Sequence, residues 1–253
     1  MMIQQERFDY IMHRLHANSV VKVHELSKEL KVSESTIRRD ISDLASSGYL
    51  KKVFGGAMLM DHPGSTSVSI EMDVASKSSI RIPEKKSIAQ FAATLINDND
   101  FVFLDAGTTT GLMIDYLKNR NATYVTNGLM HALRLSAKGM KAYILAGQPK
   151  AVTEAVAGSL AVESLWRYDF SKCFIGANGV DLERGLTTPD LEESVVKAEA
   201  IKRSYMPYIL VDSSKFGIVS SVSFAALENC CIITDGVVDQ KYKNRTIIKE
   251  VLK

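Results

Sequence analysis

No apolar run in this 253-residue sequence approaches the roughly 20 residues needed to cross a bilayer, so no membrane-spanning helix and no membrane partner are expected. The start lacks the basic stretch followed by an apolar one that marks a secretory signal: Met1 to Asp9 is polar and amphipathic, and a cytoplasmic location is the expectation. Cysteine is scarce and odd in number. Cys173, Cys230 and Cys231 sit in apolar, strand-like runs without ligand-like spacing, which points to reduced core thiols rather than disulfides or zinc. Of five histidines, His13 and His16 are three apart on one helix with no third ligand in local reach, so neither a metal nor a cofactor is expected. Charge of one sign is also missing. A formal net charge of +2 cannot argue for nucleic acid, and any such argument must come from local arrangement. What is present, 46% apolar and 24% charged residues, fits one small domain plus one of ordinary size, or a single large α/β unit.

Phe8, Ile11, Met12 and Leu15 recur at helical spacing and predict a first helix ending near Asn18. Val23, Leu26 and Leu30 share the face of a second, shorter helix. The pattern breaks at Lys31 and Val32, and Ser33 stands where a hydroxyl caps the N–H groups of a third helix carried inward by Ile37, Ile41 and Leu44. Gly48 is expected to close that helix. Tyr49 to Val53 and Ala57 to Met60, around Gly55-Gly56, read as the hairpin of a wing. With Ile37 turned inward, Ser35, Thr36, Arg38 and Arg39 face outward, where hydroxyls and guanidinium forks can meet phosphates or base edges. Lys51 and Lys52 on the wing would add backbone contacts that fix position without reading sequence. The bland alternative is a three-helix bundle whose arginines solvate one face.

From Asp61 to Ile82 periodicity dissolves into Pro63, Gly64 and six serines, a composition that suits a linker. The expected organisation is residues 1–60 as a winged helix-turn-helix, 61–82 as linker and 83–253 as an α/β domain. In the last segment, Ile88, Phe91, Ala92, Leu95 and Ile96 form a helical stripe. Apolar runs at Phe101 to Leu104, Thr123 to Val125, Ala142 to Leu145, Cys173 to Ile175, Ile209 to Val211 and Cys230 to Ile233 then alternate with helical segments. Such alternation predicts a largely parallel sheet covered on both faces. Five strand-end loops, at 105–110, 126–128, 146–147, 176–179 and 212–215, should converge on one crevice, because ligands of open α/β sheets sit outside the carboxyl ends of strands. Asp105-Ala106-Gly107-Thr108-Thr109-Thr110 follows a strand and opens a helix, so its N–H groups and hydroxyls suit an anion, although Thr and Asp also cap helices for structural reasons alone. Lys215 is either the compensating cation or a solvated loop lysine. Glu193 and Lys197, four apart, are either a surface pair or place Lys197 in the crevice.

Lys22-Val23 to Leu30, Val32-Ser33 through Thr36-Ile37-Arg38-Arg39-Asp40, Leu44, Gly48, Leu50 and Gly55-Gly56-Ala57 together resemble the DNA-binding signature of DeoR-family regulators, and the likeness extends over nearly the whole chain. The resemblance implies a larger domain sharing the fold of ribose-5-phosphate isomerase and glucosamine-6-phosphate deaminase. It places a phosphate on Gly107 to Thr110 with Lys215, and a sugar against Asn127, Lys150, Asn178, Thr187, Thr188 and Lys197, with Asp105 bonding a hydroxyl or bracing the loop. Gln148 and Lys150 stand where many members carry glycine and arginine. Thr187-Thr188-Pro189-Asp190 and Asn178-Gly179-Val180 look most like regulators of fructose operons, which implies fructose-1-phosphate as effector. The partners so implied are double-stranded operator DNA and a phosphorylated sugar. Because helix-turn-helix proteins read two half-sites about 34 Å apart, a homodimer or homotetramer is expected. The alternative is a sugar-phosphate isomerase or deaminase with an appended DNA-binding domain, with Asp105, Asp190 and Glu193 as possible bases. Against it, the lysine of the isomerase loop is absent from Gly176-Ala177-Asn178-Gly179.

Overall fold

The computed structural model describes residues 4–18, 20–46, 49–58 and 74–251. Contacts divide the chain into two units, Met1–Ile70 and Glu71–Lys253.

In the first unit, the apolar stripe of α1 (Gln4–Asn18) buries Ile11 and Leu15. The strand β1 (Val20–Lys22) and then α2 (Val23–Leu30) follow, with Val23 and Leu26 buried, and α3 (Glu34–Ser46) adds Ile37, Ile41 and Leu44 to the same core. Lys31 takes a left-handed φ of 53° and ends α2. Ser33 caps α3 as expected, its Oγ accepting from the Thr36 backbone N–H at 3.2 Å. Asp40 is buried on the core side of α3 and gripped by Arg7 through two bonds of 2.6 and 2.9 Å, a tie between α1 and α3 that sequence spacing did not reveal. The wing hairpin, β2 (Lys51–Val53) and β3 (Gly56–Met58), is present. Its sheet has a third member the sequence reading missed: β1 pairs antiparallel with β3, giving the order β1-β3-β2. Three residues are too few for a period of two to show. Gly48, Leu59 and Met60, also part of the expected wing, lie outside the described residues, as do the side chains of His13 and His16.

The second unit begins inside the segment expected to be linker. Residues 61–73 are outside the described set, but α4 (Val74–Ser79) is helical, and α5 (Ile82–Thr94) starts before the expected boundary at residue 83. The correction has a physical cause. The Val74 N–H donates to the Val152 carbonyl at 3.2 Å, and the Lys77 carbonyl accepts from the buried Lys85 Nζ, so distant partners order a serine-rich stretch that composition alone reads as linker. Then come β4 (Phe101–Leu104), α6 (Thr108–Tyr116), β5 (Thr123–Thr126), α7 (Leu129–Ala137) and β6 (Lys141–Ile144). The short hairpin of β7 (Gln148–Pro149) and β8 (Val156–Ala157) leads to α8 (Ser159–Leu165) and β9 (Phe170–Gly176). The chain continues through β10 (Gly179–Asp181), β11 (Gly185–Thr188), α9 (Leu191–Lys202), β12 (Ser204–Leu210), β13 (Val222–Ala225), β14 (Cys231–Thr234) and β15 (Ile248–Glu250).

Seven strands form one parallel sheet in the order β15-β14-β12-β9-β4-β5-β6. All six strands expected from sequence are in it. The edge strand β15 and the small antiparallel sheet β10-β11-β13 were not anticipated. Side chains alternate between two cores: Phe103 and Val125 point to one, Val102, Leu104 and Tyr124 to the other. Each large apolar side chain so buried contributes about 1.5–3 kcal/mol. The three cysteines are free and buried, and burial pushes the Cys173 thiol up to about 12. Among the described residues no helix is long and apolar enough to cross a membrane. The chain runs outward from β4 to β6 and returns on the other side of β4 at β9, so the order of strands reverses between β4 and β9. The loops after these two strands therefore flank the crevice where an α/β sheet binds ligands.

Candidate functional site

On α3, Ser35, Arg38 and Arg39 are exposed and Thr36 is half-buried. The hydroxyls are partly engaged already: Ser33 Oγ lies 2.8 Å from both Ser35 Oγ and Thr36 Oγ1, a cluster that completes the cap. Arg38 donates to Glu34 Oε2 at 3.1 Å one turn earlier, and Glu34 also meets His24 Nδ1 at 3.3 Å. The bond from Arg38, then that from His24, holds the Glu34 carboxyl below its ordinary range. The sequence reading overlooked this acid, which sits among the outward-facing cations. Arg39 has no ion-pair partner among the described residues. Lys51 and Lys52 are exposed on β2, and Lys52 Nζ lies 3.4 Å from Ser42 Oγ of α3, so strand and helix present their cations from one folded unit.

In the second unit, the loops after β4 and β9 meet. Asp105, buried at the end of β4, accepts from the Gly176 N–H at 3.1 Å and from Lys197 Nζ at 2.5 Å, and Lys197 also donates to the Gly176 carbonyl at 3.2 Å. Lys197 and Glu193 are both buried. The surface-pair reading of their spacing is therefore corrected: Glu193 accepts from Thr153 Oγ1 at 2.5 Å while Lys197 locks the two crevice loops. At Gly107 itself a Cβ would press on Thr110 Oγ1 at 3.2 Å. Asn127, from the loop after β5, accepts from the Ala106 N–H at 2.9 Å and so braces the same turn.

Not every expected site residue arrives there free. Thr110 is fully buried, its hydroxyl donated to the Asp105 and Gly107 carbonyls at 2.6 and 2.7 Å, so it shapes the loop from behind instead of facing a ligand. Thr109 is buried as well, leaving Thr108 as the half-exposed threonine of the three. Thr187 Oγ1 accepts from the Ser220 N–H at 2.9 Å, Thr188 bonds Asn178 at 3.3 Å, and Lys150 binds Asp190 and, at 3.1 Å, Glu192. Asp190 caps α9 through the Glu193 N–H at 3.0 Å. These groups brace the start of α9 and its neighbouring strands, apart from the pocket beside Gly107. Lys215 is half-buried on the turn after β12, and its charge is felt at Lys85.

That pocket, a space of about 150 Å³, is lined by Gly107 and Thr108 together with Val74 and Ser78 of α4, Lys85, His131, Arg134 and Glu154. Lys85 is the principal residue the sequence reading missed. Its Nζ donates to Thr108 Oγ1 at 3.1 Å and to the Lys77 carbonyl, and it forms no ion pair among the described residues. Burial lowers its pKa to about 8, only partly opposed by the charge of Asp212. A signal existed, because Lys85 lies three residues before Ile88 on the apolar stripe of α5, where a cation is out of place.

His131 was missed too, histidines having been weighed only as metal ligands. Its ring fits where Gly128 lacks a side chain, since a Cβ there would come within 2.9 Å of the ring. Nε2 lies 3.1 Å from the Gly107 carbonyl, which makes it the protonated nitrogen of a neutral imidazole. Burial lowers its pKa to about 4, the Gly107 bond opposing in part. The unfolded chain therefore takes up a proton between pH 6.5 and 4 that the folded chain refuses. Stability from this group is complete above pH 6.5 and is lost as pH falls toward 4, about 3 kcal/mol in all. Urea unfolding at pH 7 and 4.5 should show a larger acid loss in the native chain than in His131→Gln; equal losses would contradict the assignment.

Residues 7–62 match the family model of the DeoR-like helix-turn-helix domain, and residues 80–236 match that of the DeoR C terminal sensor domain. The chain is 39% identical to the uncharacterized HTH-type transcriptional regulator FruR of Bacillus subtilis over 99% of both chains. It is 32% identical to the HTH-type transcriptional regulator IolR of the same organism, over 94% of this chain and 92% of that one. With the lactose phosphotransferase system repressor of Staphylococcus aureus it shares 30% identity over 95% of each. Among solved structures, ribose 5-phosphate isomerase A of Methanocaldococcus jannaschii aligns with 52% of this chain and 53% of its own at 19% identity and a TM-score of 0.39.

Proposed function

Because the chain belongs to the DeoR family of helix-turn-helix transcriptional regulators, we propose that it represses a sugar-utilisation operon and releases operator DNA when a phosphorylated sugar enters the pocket at Gly107 and Thr108. One observation carries the effector half of this reading: the Lys85 ammonium, buried beside Thr108, has no carboxylate bound to it among the described residues. A buried cation without a counter-charge is costly, and a phosphate supplies that charge along with oxygens for the Thr108 hydroxyl and the N–H groups at the start of α6. Asp105 and Lys197 neutralise each other and hold the loops in place. Fructose-1-phosphate is the effector we favour, on the likeness of 178–180 and 187–190 to fructose-operon regulators and on the 39% identity to the protein named FruR.

The same lysine supplies a route for coupling. Lys85 holds the Lys77 carbonyl of α4, the first described helix after the DNA-binding unit in the chain. A phosphate that draws Nζ toward Thr108 weakens that hold on α4, and coupling to the operator requires that DNA binding favour the held state. By linkage each then weakens the other by the same factor, typically about 1–3 kcal/mol. Operator binding requires two copies of α3 on half-sites about 34 Å apart, hence a homodimer or homotetramer. The isomerase alternative gains nothing from the geometry: Asp105 is paired with Lys197, Asp190 caps α9 and binds Lys150, and Glu193 accepts from Thr153.

A thermal-shift panel of sugar mono- and diphosphates tests the reading. At 100 times its dissociation constant an effector adds about 2.7 kcal/mol of stability, and the responder should also release DNA in the same buffer. If no sugar phosphate stabilises the chain or changes its hold on DNA, the effector assignment fails.

A further inference from the structure

The wing carries a residue with no role inside its own unit. β2 and β3 are joined by a two-residue turn, Phe54-Gly55, closed by the pairing of Val53 with Gly56. Gly55 takes a φ of 79°, a left-handed conformation that glycine adopts without strain. Its carbonyl accepts from the Val23 N–H, the first residue of α2, at 2.9 Å. Gly56 is buried so closely against β1 that a Cβ would lie 2.0 Å from the Val21 carbonyl. The turn is thus pinned to the helix-turn-helix on two sides. From it Phe54 projects with a relative exposure of 109%, and no described residue shelters its apolar ring. The strand that leads into the turn, β2, carries the exposed Lys51 and Lys52, and Lys52 reaches α3.

We infer that Phe54 is a DNA contact: the wing lysines bind phosphates, and the ring is buried against the duplex in the groove beside the one met by α3. This rests on the DNA-binding reading above. A second copy of the chain is the rival occupant. The adjoining lysines favour DNA, because an apolar tip led by two cations complements a polyanion whose bases and sugars offer apolar surface between its phosphates. A pinned turn also loses little conformational freedom on binding, so burial of the ring appears almost fully as affinity.

The two kinds of contact leave different signatures. A phosphate-binding lysine changes the salt dependence, each lost contact reducing the slope of log K against log salt by about one. A buried aromatic ring shifts affinity at every salt concentration alike. The probe is a labelled duplex selected from a random-sequence pool by the full-length chain, with an unselected duplex as control. Phe54→Ala should bind the selected duplex at least about tenfold more weakly, with an unchanged salt slope and an unchanged melting temperature, whereas Phe54→Trp should retain affinity. Lys52→Ala should flatten the slope. Binding by Phe54→Ala within twofold of the native chain overturns the inference, as does a changed sedimentation coefficient without DNA, which would assign the ring to a second copy. If the native chain fails to distinguish the selected duplex from the control, it is the DNA-binding reading itself that fails.

Discussion

Arg39→Ala is expected to weaken operator binding about 100-fold or more and to leave melting temperature and effector affinity unchanged. Arg39 is exposed on α3 and has no ion-pair partner among the described residues, so its guanidinium is free to take a guanine edge or a phosphate, and its removal disturbs no packing. A bidentate contact to a base is worth about 1–3 kcal/mol, and a two-fold assembly loses it at both half-sites. Arg38→Ala should cost a comparable amount for a different reason. Arg38 neutralises Glu34 at 3.1 Å, and without it that carboxylate meets the phosphates with only His24 beside it. The double variant Glu34→Gln, Arg38→Ala should therefore recover part of the loss, which a simple deletion of a base contact would not allow. Gel shifts at physiological salt decide the matter, and native-like binding by both single arginine variants would remove α3 as the reading helix.

Lys85→Met is expected to be more stable than the native chain yet blind to its effector. In the folded chain burial sets the lysine near pH 8, whereas in the unfolded chain it titrates near 10.4. Between those values the unfolded state holds the extra proton, so the native chain gains stability as pH rises from 8 to about 10.5, and at neutral pH the buried ammonium is a net cost. Removing the charge while keeping the length of the side chain should recover about 1–3 kcal/mol, the smaller figure allowing for partial solvation. Effector affinity should fall about 100-fold or more, because a phosphate then enters without its cation. In the native chain affinity should also decline above pH 8, where binding must return a proton to Lys85, and in Lys85→Met that decline should be absent. Urea unfolding and calorimetric titration from pH 7 to 9.5 measure all three effects. A variant that is destabilised, or that binds sugar phosphate normally, would show Lys85 to be a structural residue. Greater stability with lost response is the trade expected of a group retained for function.

Much of this arrangement was legible because it is written in local patterns. The helix stripes of α1, α2 and α5, the Ser33 cap, the glycine turn of the wing at Gly55 and six of the seven strands of the main sheet follow from side-chain period and turn chemistry, which depend on near neighbours in the chain. The outward face of α3 followed from Ile37 alone, given helical geometry. Elements too short to show a period, β1 and β15, could not be seen this way, nor could the order of α4, whose Val74 N–H and Lys77 carbonyl find their partners on Val152 and Lys85.

What the linear order of residues determined, then, is most of the sequence of elements and their buried faces, since each depends on spacings of two to seven residues, while the roles of the two domains rested on the likeness to DeoR-family regulators. Which polar groups are free to bind was decided only by the tertiary structure. Asp105 and Lys197 are 92 positions apart and cancel each other, Thr110 turns inward, and Lys85, eight residues from Lys77 and 23 from Thr108, is left buried without a counter-ion among the described residues. A side chain's type states what it can bind, but desolvation and distance set whether that capacity is already used, and both are properties of the packed molecule.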